Sequence, residues 1–208
     1  MIRFPIEILE KYSKEQLLTY IRGAKRKMGI LRKKMEHPCY PFIREERNPS
    51  DYALYESERD FLQMAIKRYV ELGGEYIKNN KETKDEKFNL ELEDIIKITF
   101  KQEVNSERKF KITIDLNSEE ARIKKVIGSS RRERNSKSDK KSIIEELRYL
   151  HLGEWRKEYT AEAYKVIIPN EEKWGLEIEF KDKRRINFSG TNAYPYNYEQ
   201  LIVLFKVV

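Results

Sequence analysis

The chain has 208 residues, 43 Lys and Arg against 36 Asp and Glu, a formal charge of +7 and one cysteine, Cys39. A lone cysteine can form neither an internal disulfide nor a cysteine-rich metal site, and no apolar run approaches the ~18 residues of a membrane span. The N-terminal stretch MIRFPIEILEKYSKEQ turns charged quickly and offers no small-residue cleavage site, so a cytoplasmic location is expected.

The charge is unevenly placed. Residues 22–34 hold seven cations and no acid, and residues 122–141 hold nine cations against Glu133 and Asp139, so each segment carries +7 and the remainder of the chain carries −7. Local excess positive charge on an otherwise acidic chain points to a polyanionic partner. With 9 Phe, 13 Tyr and 2 Trp there is enough apolar bulk for a core, and disorder is excluded.

In chain order, Ser13 and Gln16 have capping-box spacing, and Leu17, Ile21, Ala24, Met28, Leu31 and Met35 follow at steps of four and three, which predicts one helical seam ending before Pro38. A second helix is predicted over 57–72, with Phe61, Leu62, Ala65, Ile66, Tyr69 and Val70 on its apolar face and Gly73-Gly74 as its stop. The two, joined by a loop rich in proline, make an antiparallel helical hairpin region over 1–77. Residues 78–92 are polar and are expected to be a linker.

From residue 93 the apolar period changes to two. Strands are predicted over 94–102 and 109–116, then a mobile basic loop SSRRERNSKSDKKS, a helix over 143–155 ending at Gly153, a hairpin GLEIEF/RINFSG and a final helix N-capped by Asn197 with Gln200 as its reciprocal partner. The order ββαββα predicts an α+β domain over 93–208, an antiparallel sheet with helices on one face.

Three segments, LHLGEWRKEY (150–159), WGLEIEFKD (174–182) and GTNAYPYNYEQLIVLF (190–205), resemble a widespread family of uncharacterised proteins of Gram-positive bacteria and their mobile elements. Its members combine a helical N-terminal region with a sheet domain bearing a W-x-L-E-I-E strand and an S-N-A-Y-P-Y-N-F turn. The chain is also similar to phage-encoded anti-CRISPR proteins of the type II systems. That likeness implies inhibition of a CRISPR effector nuclease through its guide RNA or its nucleic-acid channel. The insertion RRERNSKSDKK departs from the commoner pattern and leaves the partner open.

The candidate nucleic-acid contacts are Arg22, Lys25, Arg26, Arg32 and Lys33 on the first helix, where residues 16–35 contain no acid to intersperse with them. In the basic loop they are Arg131, Arg132, Arg134, Lys137, Lys140 and Lys141, placed among serines where phosphates could order them. Tyr159, Tyr164, Tyr194 and Tyr196 are candidates for stacking on bases. Against binding stands a metal-dependent RNase using His151 and Glu154, or Glu177, Glu179 and Lys181 on one strand; only that alternative calls for a divalent metal, and no cofactor is otherwise expected. His37 with Cys39 offers two ligands where zinc needs three. The third alternative is a non-enzymatic protein-interaction module whose basic regions only solubilise it.

Overall fold

The computed structural model describes residues 6–40, 48–104, 108–128, 132–169 and 171–207. The chain divides into two compact units, Met1–Lys78 and Asn79–Val208.

The first unit contains α1 (Ile6–Glu10), α2 (Lys14–Met35) and α3 (Asp51–Glu71). The capping box at the start of α2 is formed: the Ser13 backbone N–H donates to Gln16 Oε1 at 2.8 Å, and the Gln16 N–H donates to Ser13 Oγ at 3.3 Å. Leu17, Ile21 and Ala24 of α2 are buried against Leu62, Ala65 and Tyr69 of α3. Lys14 Nζ reaches the Gly73 carbonyl, Lys27 pairs with Glu58 and Lys34 with Asp51, so the start of each helix lies beside the end of the other. Helix α3 begins six residues earlier than the apolar pattern predicts. Ser50 caps it by accepting from the Ala53 N–H, and Tyr55 is buried within the polar-looking first turns.

The second unit is α+β. It contains α4 (Asn80–Leu90), β1 (Ile95–Val104), β2 (Arg108–Asp115), β3 (Glu120–Ile127), β4 (Arg132–Asp139), α5 (Lys140–Tyr149), β5 (Glu158–Thr160), β6 (Glu172–Phe180), β7 (Arg185–Thr191) and α6 (Tyr198–Val207). Two expectations are corrected here. The polar stretch expected to be a linker is helix α4, closed by a second capping box between Asn79 and Glu82 and anchored by buried Phe88. The basic loop expected to be mobile is, over 132–139, the edge strand β4. It shows no alternation because the described side chains on both of its faces are largely exposed, and its order comes from the backbone ladder to β3.

The seven strands form one open sheet in the order β4-β3-β2-β1-β6-β7-β5. It is mixed rather than purely antiparallel, because the short β5 runs parallel to β7, with Glu158, Tyr159 and Thr160 opposite Ser189, Gly190 and Thr191. On one face Ile98 sits between Ile114 and Ile178, and Phe100 between Ile112 and Leu176. Helices cover this face: Phe205 of α6 stacks on Phe100 at 4.8 Å, Phe88 of α4 meets Phe180 edge-on, and Ile143, Ile144 and Leu147 of α5 join the same core. Removing these side chains from water is what holds the unit together.

The segment SGTNAYPYN locks the far end of the sheet. Asn197 is buried; its Oδ1 accepts from the Trp155 indole at 3.0 Å and its Nδ2 donates to the Leu150 carbonyl at 2.7 Å. Its side-chain oxygen therefore goes to a distant tryptophan rather than to the helix-capping role that its spacing predicts. Trp174 donates to the Ala193 carbonyl at 2.9 Å, and a Cβ on Gly190 would lie 2.2 Å from that indole nitrogen.

Candidate functional site

On α2, the sequence-predicted cations separate into three groups. Arg32 is buried in an ion pair with Glu36 at 2.9 Å, and Lys25 lies 4.6 Å from the Tyr76 ring centroid. Arg22, Arg26 and Lys33 are exposed and form no ion pair among the described residues. With Gly29 they follow steps of four, three and four, one stripe along the helix. The acids that local spacing lacks come from across the fold, since Glu58 and Asp51 of α3 neutralise Lys27 and Lys34. Lys33 also sits in the last turn, where a cation complements the helix dipole.

The basic region around β4 is likewise divided, here by strand alternation. Lys137 lies opposite Arg122 and pairs with Glu120, while Arg134 lies opposite Lys125, on the other face of the sheet. Lys140 and Lys141 open α5 behind the cap Asp139, which accepts from the Ser142 N–H at 2.8 Å. Arg131 lies outside the described residues, and Arg132 is placed only by its register opposite Ile127.

The strand register assembles a larger surface that the sequence did not show. On the face opposite the core, one row reads Lys137, Arg122, Asp115, Lys97, Glu179, Arg185 across β4, β3, β2, β1, β6 and β7. The next reads Asn135, Lys124, Thr113, Thr99, Glu177, Asn187, and the third Glu133, Val126, Lys111, Lys101, Gly175, Ser189. A groove of about 880 Å³ runs over the first two rows, lined by Lys97, Arg122, Lys124 and Lys137, by the acids Asp115 and Glu179, and by Thr113 and Asn135, with Lys124 paired to Glu133 at 2.8 Å. Within it, the backbone N–H of Asn117 holds the Asp115 carboxyl below its ordinary range, with the Asn117 amide, Arg122 and Lys97 adding to the effect against partial desolvation.

In the third row Lys101 and Lys111 are both exposed and directly opposite, and neither has an ion pair among the described residues. Beside Lys101, a Cβ on Gly175 would meet only the Phe188 carbonyl, at 3.8 Å, so packing does not demand the space left there. No residue of these three rows is aromatic.

The nuclease-like set is dispersed. Arg185 approaches Glu177 at 3.9 Å and Glu179 at 3.3 Å, whereas Lys181 lies past the end of β6 and bonds Asp94 at 3.1 Å. Of the stacking candidates, Tyr159 and Tyr196 are buried, Tyr194 packs on Tyr198 at 4.6 Å, and Tyr164 is hydrogen-bonded by Arg156 at 2.9 Å. His37 Nδ1 accepts the Cys39 backbone N–H at 3.2 Å.

His151 and Glu154 do come together. Helix α5 stops at Tyr149, His151 adopts a left-handed backbone (φ 47°, ψ 47°), and Leu152–Glu154 form a 3-10 turn. The turn adds a residue that sequence spacing missed: Asp85 of α4, whose Oδ2 lies 2.7 Å from His151 Nδ1. The capping-box spacing of Asn79 and Glu82 was the available signal that Asp85 lies on a helix.

The chain matches no protein-family model, and no curated protein or solved structure matches it. No helix among the described residues is long and apolar enough to cross a membrane.

Proposed function

We propose that the protein binds nucleic acid or a ribonucleoprotein by holding a phosphate backbone on the open face of its sheet. The observation that carries this is the opposition of the exposed Lys101 and Lys111 across β1 and β2, with no ion pair to either among the described residues. Like charges directly opposite in a sheet destabilise it, and an anion between them turns that cost into affinity. The groove over Lys97, Arg122, Lys124 and Lys137 continues the surface, with hydroxyl and amide donors that suit phosphate oxygens. The lack of aromatic groups on these rows argues for contact with the backbone rather than stacking on bases.

The resemblance to type II anti-CRISPR proteins gives the polyanion an identity. Of the two surfaces an RNA-guided nuclease offers, the guide RNA phosphates suit a cationic face, whereas its own cationic channel does not. The stripe Arg22, Arg26 and Lys33 is a second, independent contact of the same kind.

The test is retention of labelled guide RNA, free and loaded in a type II effector, by the wild-type chain and by the double variant Lys101→Gln/Lys111→Gln. Weaker binding by the variant, similar across RNA sequences, is the expected result. Unchanged RNA binding would overturn the sheet-face reading. Salt-insensitive binding to the effector protein without any retention of RNA would put the protein-interaction module in its place.

A further inference from the structure

We propose that Asp85, His151 and Glu154 form a site for one divalent transition-metal ion of the zinc class. One ligand atom from each residue lies within 4.8 Å of the others, a spread that a small closure brings onto a metal with bonds of about 2.0–2.2 Å. One imidazole nitrogen with two carboxylates favours zinc, cobalt or manganese over calcium, which takes roughly six to eight oxygens.

Three features of the fold set this cluster apart from an ordinary surface ion pair. The Asp85 side chain is 10% exposed; its Oδ2 serves His151 and, at 3.2 Å, the Asn89 amide, while Oδ1 is buried with no hydrogen-bond partner among the described residues. A buried carboxylate oxygen left without a partner is costly, and a bound cation is one way to satisfy it. His151 takes a left-handed backbone, a conformation uncommon for a residue other than glycine. Gly153 follows two residues on, where a Cβ would lie 2.4 Å from the Asp85 Cα and 2.6 Å from the Lys84 carbonyl oxygen. The turn is pressed onto the backbone of α4, so the ligands are positioned in advance.

His151 and Glu154 are half-buried, which leaves a solvent side where water can complete the coordination. On binding, His151 carries its proton on Nε2, Nδ1 turns to the metal in place of its hydrogen bond to Asp85, and both Asp85 oxygens are available to the ion. The competing account is that the His151–Asp85 hydrogen bond only staples the turn to α4. The metal site does not depend on the phosphate-binding reading and assigns no reaction.

The experiment is titration of the intact, EDTA-stripped chain with Co²⁺, followed by visible absorption, and with Zn²⁺, followed by calorimetry. One ion should bind per chain, with Zn²⁺ displacing Co²⁺. Asp85→Asn, His151→Gln and Glu154→Gln should each weaken binding by at least about tenfold. The first two also break the staple, so Glu154→Gln, checked by circular dichroism for an unchanged fold, is the decisive variant. Absence of saturable one-to-one uptake, Zn²⁺ affinity within about twofold of wild type in Glu154→Gln, or a preference for Ca²⁺ over Zn²⁺ would overturn the proposal.

Discussion

Two short segments of the sheet unit, Gly190–Asn197 and His151–Glu154, each hold a glycine and hydrogen-bonding side chains. Their structures differ in one respect that matters. In the first, polar groups are used up inside the fold: Asn197 serves Trp155 and Leu150, and Asn192 Oδ1 accepts the Glu172 N–H at 2.8 Å. In the second, Asp85 Oδ1 is buried with its hydrogen-bonding capacity unspent. A polar turn whose groups are satisfied explains itself as structure, while one with a buried unspent acceptor asks for a ligand.

The largest effect should come from breaking the satisfied turn. Asn197→Ala strands both the Trp155 indole and the Leu150 carbonyl in the core, and about 3 kcal/mol should be lost in urea unfolding. A loss below about 1 kcal/mol would mean that the bonds are replaced on relaxation. Gly153→Ala comes next, at about 2 kcal/mol, because its new methyl meets α4 backbone rather than a side chain that can yield. It should also weaken Co²⁺ binding without changing a ligand.

The contrast sharpens with Glu154→Gln, which should alter stability by no more than about 0.5 kcal/mol since the residue is half-buried at the edge of the turn. Lys101→Gln/Lys111→Gln should raise stability by a few tenths of a kcal/mol while weakening RNA binding. A variant that loses both would point to a packing role. The smallest effect concerns pH. The folded Asp115 carboxyl is held below its ordinary value of 3.8, so its contribution is present above that value and is lost as pH falls through the lower folded one. Asp115→Asn should therefore flatten the acid limb of the stability curve, read by thermal unfolding at stepped pH.

The parts of the fold legible in sequence were those with one buried face. The period-two runs around Ile98 and Phe100, and around Ile112 and Ile114, carry their strands because helices cover that side alone. The strand RERNSKSD of β4 was illegible because it contains no apolar residue, and α4 because Phe88 was the one large apolar group in its first nine residues. Within the basic segment 22–34, Lys27 and Lys34 find Glu58 and Asp51 through tertiary packing that no local spacing encodes, whereas Arg32 pairs with Glu36 at an i, i+4 spacing visible in the sequence. The rows of the open face, and the meeting of Asp85 with His151, depend on register and on α4 docking, both set by the folded backbone.

Two phosphates held by Lys101 and Lys111 would leave their mark in the salt dependence of binding to a single-stranded RNA. Log affinity of the wild-type chain should fall linearly with log salt, and Lys101→Gln/Lys111→Gln should make that slope shallower by about 1.4, close to 0.7 for each of two contacts on a single strand. A slope unchanged by the double variant would contradict the account.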